Sequence, residues 1–168
     1  FIDLNKENKH LVLAPRPPER FGEIKELVNK KNLSNILYTE ISSNPNIKSD
    51  VTIVDVIGRL LDFYEIADCV FIGGTLVDHG GQNFLEPAFF NKPIISGRST
   101  YNFDEISKKL SDLGLLKFVS NKDEISSVVE NIEAISDSLK KDTNLWLNEN
   151  RGASKFICKK VCKEFNLI

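Results

Sequence analysis

The sequence predicts a three-layer α/β domain in which helices cover both faces of a parallel sheet of about six strands. Two observations support this fold class. Short runs that are apolar at consecutive positions alternate with amphipathic segments of helical periodicity, and strands covered on both faces by helices have this composition. The chain has 168 residues, which suits one domain of this kind and is too short for two of ordinary size.

The candidate strands and helices follow one another in regular alternation. The predicted strands are residues 11–14, 35–38, 51–54, 69–72, 93–95 and 115–119. Between them, apolar residues at helical spacing predict helices around residues 21–28, 57–66 and 103–110. After residue 123 the pattern predicts helices only, around residues 125–132, 139–147 and 153–165. The last of these has a basic face, which we expect to be solvated.

Charge and hydropathy exclude several functional classes. Lys plus Arg total 22 and Asp plus Glu total 24, so the formal charge of −2 argues against a general nucleic-acid binder. No apolar run approaches the roughly 20 residues of a membrane helix, and no signal peptide is visible. The chain begins at Phe1 in a polar stretch, as expected for a piece of a longer protein.

The three cysteines predict reduced thiols in a cytosolic environment. Cys69 lies in an apolar run and is expected to be a small core residue. Cys158 and Cys162 are four residues apart on a predicted helix, which is neither a redox motif nor a complete metal site. The chain has two histidines, so a multi-histidine metal site is not expected, and His79 is interpreted as a loop residue.

Parallel sheets bind ligands beyond the carboxyl ends of their strands, so the loops after the strands are the candidate sites. In the first, Pro17 and Pro18 predict a helix start, and Arg16 lies between the strand and that start. A guanidinium in this position can bind phosphate oxygens. A surface ion pair with Glu19 is the competing interpretation.

Two further loops carry weaker signals. After the third strand, Asp55 is expected to cap the next helix, and the turn at Ile57 and Gly58 can bring backbone groups toward a base. After the fifth strand, Asn102 resembles an N-cap and Arg98 lies at the same rim. Ligand contact and simple capping are both open for this loop.

The loop at residues 73–87 is the most informative part of the sequence. Gly73, Gly74, Gly80 and Gly81 fall within nine residues, and glycine permits close backbone approach to a ligand. A helix is expected to start near Gln82 or Asn83, where free N–H groups favour an anion, and Glu86 one turn later can bind a ribose diol. The spacing matches neither a dinucleotide nor a Walker motif. A glycine-rich turn in which Glu86 only complements the helix dipole is equally compatible.

Four motifs together resemble the 3-deoxy-D-manno-octulosonic acid (Kdo) transferases of lipopolysaccharide synthesis. They occur in the family order over roughly residues 10–120. The motifs are Pro15-Arg16-x-Pro18-Glu19-Arg20-Phe21, Phe71-Ile72-Gly73-Gly74-x-Leu76-Val77, Gly80-Gly81-x-Asn83-x-Leu85-Glu86-Pro87-Ala88 and Thr100-x-Asn102-Phe103.

The resemblance implies an inverting glycosyltransferase of the GT-B fold that passes Kdo from CMP-Kdo to a lipid A precursor. Residues 1–168 would be the C-terminal, Rossmann-like donor-binding domain, without the N-terminal acceptor domain. The family works at the cytoplasmic face of the inner membrane of Gram-negative bacteria, without metal, other cofactor or nucleic acid. Lipid and membrane contacts would belong to the N-terminal part, and this fragment alone would be soluble and inactive.

The resemblance also assigns roles to residues. Arg16 and the glycines at positions 73, 74, 80 and 81 would meet the CMP phosphate, and Glu86 would hold the ribose. Asn83 would orient the loop and contact the donor, so Arg16 and Asn83 are the catalytic candidates of this chain. Ile57 and Gly58 would lie against cytosine, and the general base would be a carboxylate of the N-terminal domain.

Two positions depart from the family pattern, which has histidine where Pro17 and Gln82 stand. Gln82 can still donate a hydrogen bond, whereas Pro17 cannot. The competing functions are a GT-B transferase or 2-epimerase that uses UDP-sugars, and a non-catalytic nucleotide-binding module. A preference for uridine over cytidine nucleotides would distinguish the UDP-sugar enzyme from a Kdo transferase. Ligand affinity that does not depend on Glu86 would indicate the non-catalytic module.

Overall fold

Six parallel strands are present, which confirms the predicted number and fold class. The computed structural model describes residues 9–16, 20–43, 46–132, 146–148 and 153–165. Each strand has three residues, fewer than its apolar run except for β5, which is shifted by one residue from the run at 93–95. The strands are β1 (Leu11–Leu13), β2 (Asn35–Leu37), β3 (Val51–Ile53), β4 (Val70–Ile72), β5 (Ile94–Ser96) and β6 (Leu116–Phe118).

The helices occupy the connections between strands and the last third of the chain. They are α1 (Phe21–Lys30), α2 (Leu60–Ile66), α3 (Leu85–Phe89), α4 (Asp104–Asp112), α5 (Lys122–Glu130) and α6 (Ala153–Glu164), with 3₁₀ turns at Tyr38–Ser43 and Tyr101–Phe103. The helix predicted at residues 139–147 lies largely outside the described residues, of which 146–148 are helical. Pro17, Pro18 and Glu19 also lie outside them.

The strands form two three-stranded sheets, in the orders β1-β3-β2 and β4-β5-β6, where the sequence predicted one. Among the described strands, no ladder joins β1 to β4. Apolar runs show where strands form, but hydrogen-bonding partners depend on contacts between distant segments. As a result β1 and β4 are both sheet edges. The loop with Arg16 follows one and the glycine-rich loop follows the other.

Two apolar clusters hold these sheets. The smaller packs α1 against the first sheet through Val28, Val51 and Ile53. The larger surrounds the second sheet and includes Phe84, which is fully buried, and Tyr64 of α2. The helix that leaves the first sheet therefore packs on the core of the second.

Cys69 departs from its prediction, because it precedes β4 and is half-buried rather than part of the core. Burial, with a smaller contribution from Asp68, raises the pKa of its thiol. Cys158 and Cys162 are free thiols on α6 with sulfur atoms 4.0 Å apart. Across the described part of the chain, none of the helices combines the length and apolar character required to cross a bilayer.

Candidate functional site

The charges of Arg16 and Glu86 both act on one buried phenol, that of Tyr64 in α2. Burial raises the pKa of Tyr64 to about 12, the negative charge of Glu86 adds to this rise, and the positive charge of Arg16 opposes it. A charge perturbs a neighbouring group strongly only over a few ångströms. The loop after β1 and the first turn of α3 therefore both contribute charge to the surroundings of Tyr64. Among the described residues, Arg16 and Glu86 form no ion pair with each other.

Asn83 holds the Glu86 carboxylate in position. Its Nδ2 donates to Glu86 Oε1 at 3.0 Å, and its Oδ1 accepts a hydrogen bond from the Leu85 backbone N–H at 2.9 Å. The hydrogen bond to the N–H two residues on is an Asx turn, and the same side-chain amide holds the carboxylate. Among the described residues nothing donates to the second carboxylate oxygen, Oε2. A half-buried carboxylate with one oxygen fixed and one available suits a hydroxyl-bearing ligand.

The predicted start of this helix is corrected by the structure. α3 begins at Leu85 with Phe84 as its N-cap residue, so Gln82 and Asn83 precede it. The Asn83 side chain forms the Asx turn that leads into the helix. The helix has only five residues, so its dipole is small. Within the described part of the chain, the N–H groups of Gln82 and Asn83 donate to no acceptor. Anion binding here would depend on those groups and on Arg16 more than on a helix dipole.

The glycine-rich loop is shaped mainly by contacts within the protein. Gly80 and Gly81 are buried with φ of 76° and 77°, a backbone region that other residues rarely adopt. A Cβ at Gly80 would overlap Asn102 and the Tyr101 ring. Gly73, by contrast, would have open space beside its Cβ. Of these three glycines, Gly73 is therefore the one with room for a ligand to approach.

Thr75 joins this loop to the loop after β5, a role that sequence reasoning missed. Its hydroxyl donates to the Ile72 carbonyl and accepts from the Gly97 N–H, both at 2.7 Å, and its carbonyl accepts from Ser99 N at 3.0 Å. Thr75 is 1% exposed. A Cβ at Gly97 would clash with the Thr75 carbonyl, so only glycine fits there. A glycine directly after a strand was the one available sequence signal.

The loop after β3 lies apart from this hydrogen-bonded arrangement. Asp55 does not cap α2, because its carboxylate accepts from the N–H and hydroxyl of Thr39 at 3.1 and 2.6 Å. The turn that follows presents Ile57, which is 86% exposed, beside Gly58 at a φ of 86°. No hydrogen bond or ion pair between described residues links this turn to Arg16 or Glu86.

The loop after β5 differs from its prediction as well. Asn102 lies inside the 3₁₀ turn Tyr101–Phe103 and caps no helix, since α4 begins at Asp104. Its Nδ2 instead points to the His79 carbonyl at 3.5 Å, and Ser99 Oγ accepts from Gly80 N at 3.2 Å. His79 lies in a turn, as predicted. Both contacts brace the glycine-rich loop.

Comparison with known proteins adds sequence relatives. No protein-family model matches the chain. It is 34% identical over 170 residues to a bifunctional glycosyltransferase/methyltransferase of Fusobacterium nucleatum, covering 99% of this chain and 26% of that protein. It is 37% identical over 150 residues to the 3-deoxy-D-manno-octulosonic acid transferase of Haemophilus influenzae, covering 87% of this chain and 35% of that protein. The chain thus spans about a quarter to a third of the length of these relatives.

A solved structure supports the fold. The C-terminal CMP-Kdo binding domain of WaaA from Acinetobacter baumannii superposes with a TM-score of 0.63, covering 83% of this chain and 86% of that one. Sequence identity between the two is 23%, so this likeness bears on the fold alone. The predicted GT-B C-terminal architecture is confirmed.

Proposed function

This chain is a sequence relative of the 3-deoxy-D-manno-octulosonic acid transferases, and from that premise we propose that it is the donor-binding half of a glycosyltransferase that uses CMP-Kdo. The observation that carries the proposal is the Glu86 carboxylate, which Asn83 Nδ2 holds by Oε1 at 3.0 Å while Oε2 has no donor among the described residues. Such a carboxylate can accept hydrogen bonds from ribose hydroxyls. Arg16, in the loop after β1, contributes positive charge to the surroundings of the same Tyr64 phenol as Glu86 and is the cation proposed for the phosphate.

Each predicted site residue has a role in this proposal. The Arg16 guanidinium and the N–H groups of Gln82 and Asn83 donate to the phosphate. The open side of Gly73 lets the phosphate approach the backbone. Glu86 Oε2 accepts hydrogen bonds from the ribose hydroxyls while Oε1 stays on Asn83.

The remaining residues shape or extend the site. Gly74, Gly80 and Gly81 give the loop its left-handed turns. Ile57 offers an exposed apolar surface to the cytosine ring, and Gly58 allows the turn that presents it. Gln82 retains a donor where the family has histidine, whereas Pro17 retains none.

In the longer protein, we propose inverting transfer of Kdo to a lipid A precursor. A carboxylate from the rest of that protein acts as general base on the acceptor hydroxyl. Arg16 and Asn83 stabilise the CMP phosphate as its negative charge grows on departure. This mechanism uses no metal, cofactor or nucleic acid. Contact with the lipid acceptor and with the cytoplasmic face of the inner membrane is assigned to the rest of the protein, and the present chain alone transfers nothing.

The test is an NMR titration of this chain with CMP, and with UMP and AMP as controls. We expect shifts for CMP at Arg16, Gly73, Gly74 and residues 82–86. Glu86→Gln should weaken CMP binding about tenfold or more, because a charged hydrogen-bond acceptor is lost. The matched control is Glu105→Gln, since Glu105 occupies the first turn of α4 and is exposed.

Each contrary outcome has a definite meaning. Stronger binding of UMP than of CMP would favour a UDP-sugar enzyme. Equal binding of all three nucleotides with no effect of Glu86→Gln would favour a non-catalytic module. Absence of shifts for every nucleotide would refute an autonomous donor-binding half.

A further inference from the structure

A second cleft opens at the carboxyl ends of β4, β5 and β6. Its volume is about 290 Å³, at the lower end of small-molecule sites and sized for one sugar residue rather than a whole sugar nucleotide. Three loops supply its polar groups: Asp78 after β4, Arg98 and Ser99 after β5, and Ser120 after β6. None of these four residues belongs to the nucleotide site proposed above.

The glycine-rich loop forms part of the lining of this cleft. Thr75 of this loop and Ser99 both line the cleft. The Ser99 hydroxyl accepts a hydrogen bond from Gly80 N at 3.2 Å. The same loop then runs on to Asn83 and Glu86. One face of this loop thus lines the cleft, and its continuation forms the nucleotide site.

The Arg98 side chain is held by an aromatic ring, but its charge is not paired with a carboxylate among the described residues. Its guanidinium carbon lies 5.9 Å from the centre of the Phe118 ring, a cation–π contact that orients the side chain. Arg98 is exposed and forms no ion pair with Asp78 or with another acid among the described residues. Its donor groups are therefore available to a ligand in the cleft.

The polar groups of the cleft match a polyhydroxy carboxylic acid. A planar guanidinium binds a carboxylate through two parallel hydrogen bonds. The Asp78 carboxylate only accepts hydrogen bonds, which suits ligand hydroxyls, and the hydroxyls of Ser99 and Ser120 both donate and accept. The Asp78 charge disfavours a polyphosphate, and no aromatic side chain among the described residues lines the cleft to stack on a base.

We propose that this cleft binds the sugar-acid portion of the donor, with Arg98 pairing the Kdo carboxylate and Asp78 accepting hydrogen bonds from the Kdo hydroxyls. This inference rests on the proposed function. In this proposal Arg98 recognises the sugar acid of the donor and makes no contact with its nucleotide.

The test compares binding of CMP with binding of freshly prepared CMP-Kdo to this chain by calorimetry. Arg98→Gln should lower affinity for CMP-Kdo about 10- to 100-fold, the effect of losing a charge-assisted bidentate contact, and change affinity for CMP less than about threefold. Arg98→Lys keeps the charge but loses the planar fork, so its effect should be intermediate. Lys117→Gln, which removes an exposed cation from the adjacent strand β6, is the control.

The outcomes separate the two proposals. If wild-type protein binds CMP but Arg98→Gln leaves the affinity for CMP-Kdo unchanged, this inference fails and the nucleotide site stands. Equal losses for CMP and CMP-Kdo would place Arg98 at the phosphate and overturn the inference. If wild-type protein binds neither ligand, the proposed function fails and this inference fails with it. Thermal unfolding of each variant establishes that it is folded.

Discussion

Replacing Thr75 by valine removes one buried hydroxyl and preserves the shape of the side chain. The hydroxyl has two buried partners, the Ile72 carbonyl and the Gly97 N–H, each at 2.7 Å. A buried polar group left without a partner costs about 1–3 kcal/mol. Losing both bonds should therefore lower the free energy of unfolding by about 2–5 kcal/mol, a large share of the 5–15 kcal/mol typical of a domain.

Urea unfolding followed by circular dichroism measures this change. Thr75→Val should lower the midpoint while the slope stays unchanged. Thr75→Ser keeps the hydroxyl and loses one buried methyl, so it should cost about 1 kcal/mol. Thr39→Val is the surface control, because the Thr39 hydroxyl and its partner Asp55 are solvent-accessible. A smaller loss for Thr75→Val than for Thr75→Ser would show that the hydroxyl does not join the two loops.

Two further predictions concern a titration and a helix cap. In an alkaline titration of tyrosinate absorbance, Tyr64→Phe should remove a step with a pKa of about 12. Glu86→Gln should lower that pKa, because a negative charge is removed, and Arg16→Gln should raise it. A Tyr64 pKa that neither variant moves would contradict the action of these two charges on the phenol. The pKa of Tyr64 in the folded protein exceeds its ordinary value of 10.0, so its contribution to stability is fully present below pH 10 and is lost as the pH rises through about 12. Tyr64→Phe should therefore lose less stability between pH 10 and 12 than wild type. The Asn121 side chain accepts hydrogen bonds from the N–H groups of Asp123 and Glu124 at 3.0 Å and so caps α5. In thermal unfolding, Asn121→Ala should lower the free energy of unfolding by about 0.5–2 kcal/mol. Ser126→Ala in the middle of α5 is the control and should have a smaller effect; equal effects would refute the cap.

The local sequence pattern was sufficient to predict the strands and the loops that make up the candidate site. Runs of consecutive apolar residues predicted six strands, because strands covered on both faces by helices need apolar residues on both sides. The loops with Arg16, the glycines and Glu86 were predicted as site loops from their position after strands. Their family resemblance is confirmed by the sequence relatives.

Element boundaries were predicted less well, because side chains compete for backbone groups. Asn83 forms an Asx turn to the Leu85 N–H ahead of α3, and Asp55 binds Thr39 instead of capping α2. Neither outcome is visible in spacing alone, since each depends on which polar partner lies closest in the folded chain. Asn102 was mistaken for a cap for the same reason.

The sequence alone therefore determined the kind of domain, its six strands and the loops that carry its polar chemistry, because these depend on periodicity and on residue type. Only the tertiary structure decided that the strands pair as two sheets, that the charges of Arg16 and Glu86 both act on Tyr64, and that Thr75 joins the loops after β4 and β5. The cleft with Arg98 above Phe118 also has no sequence signature. Each of these features joins residues far apart in the chain, and only packing brings such residues within range of a charge or a hydrogen bond.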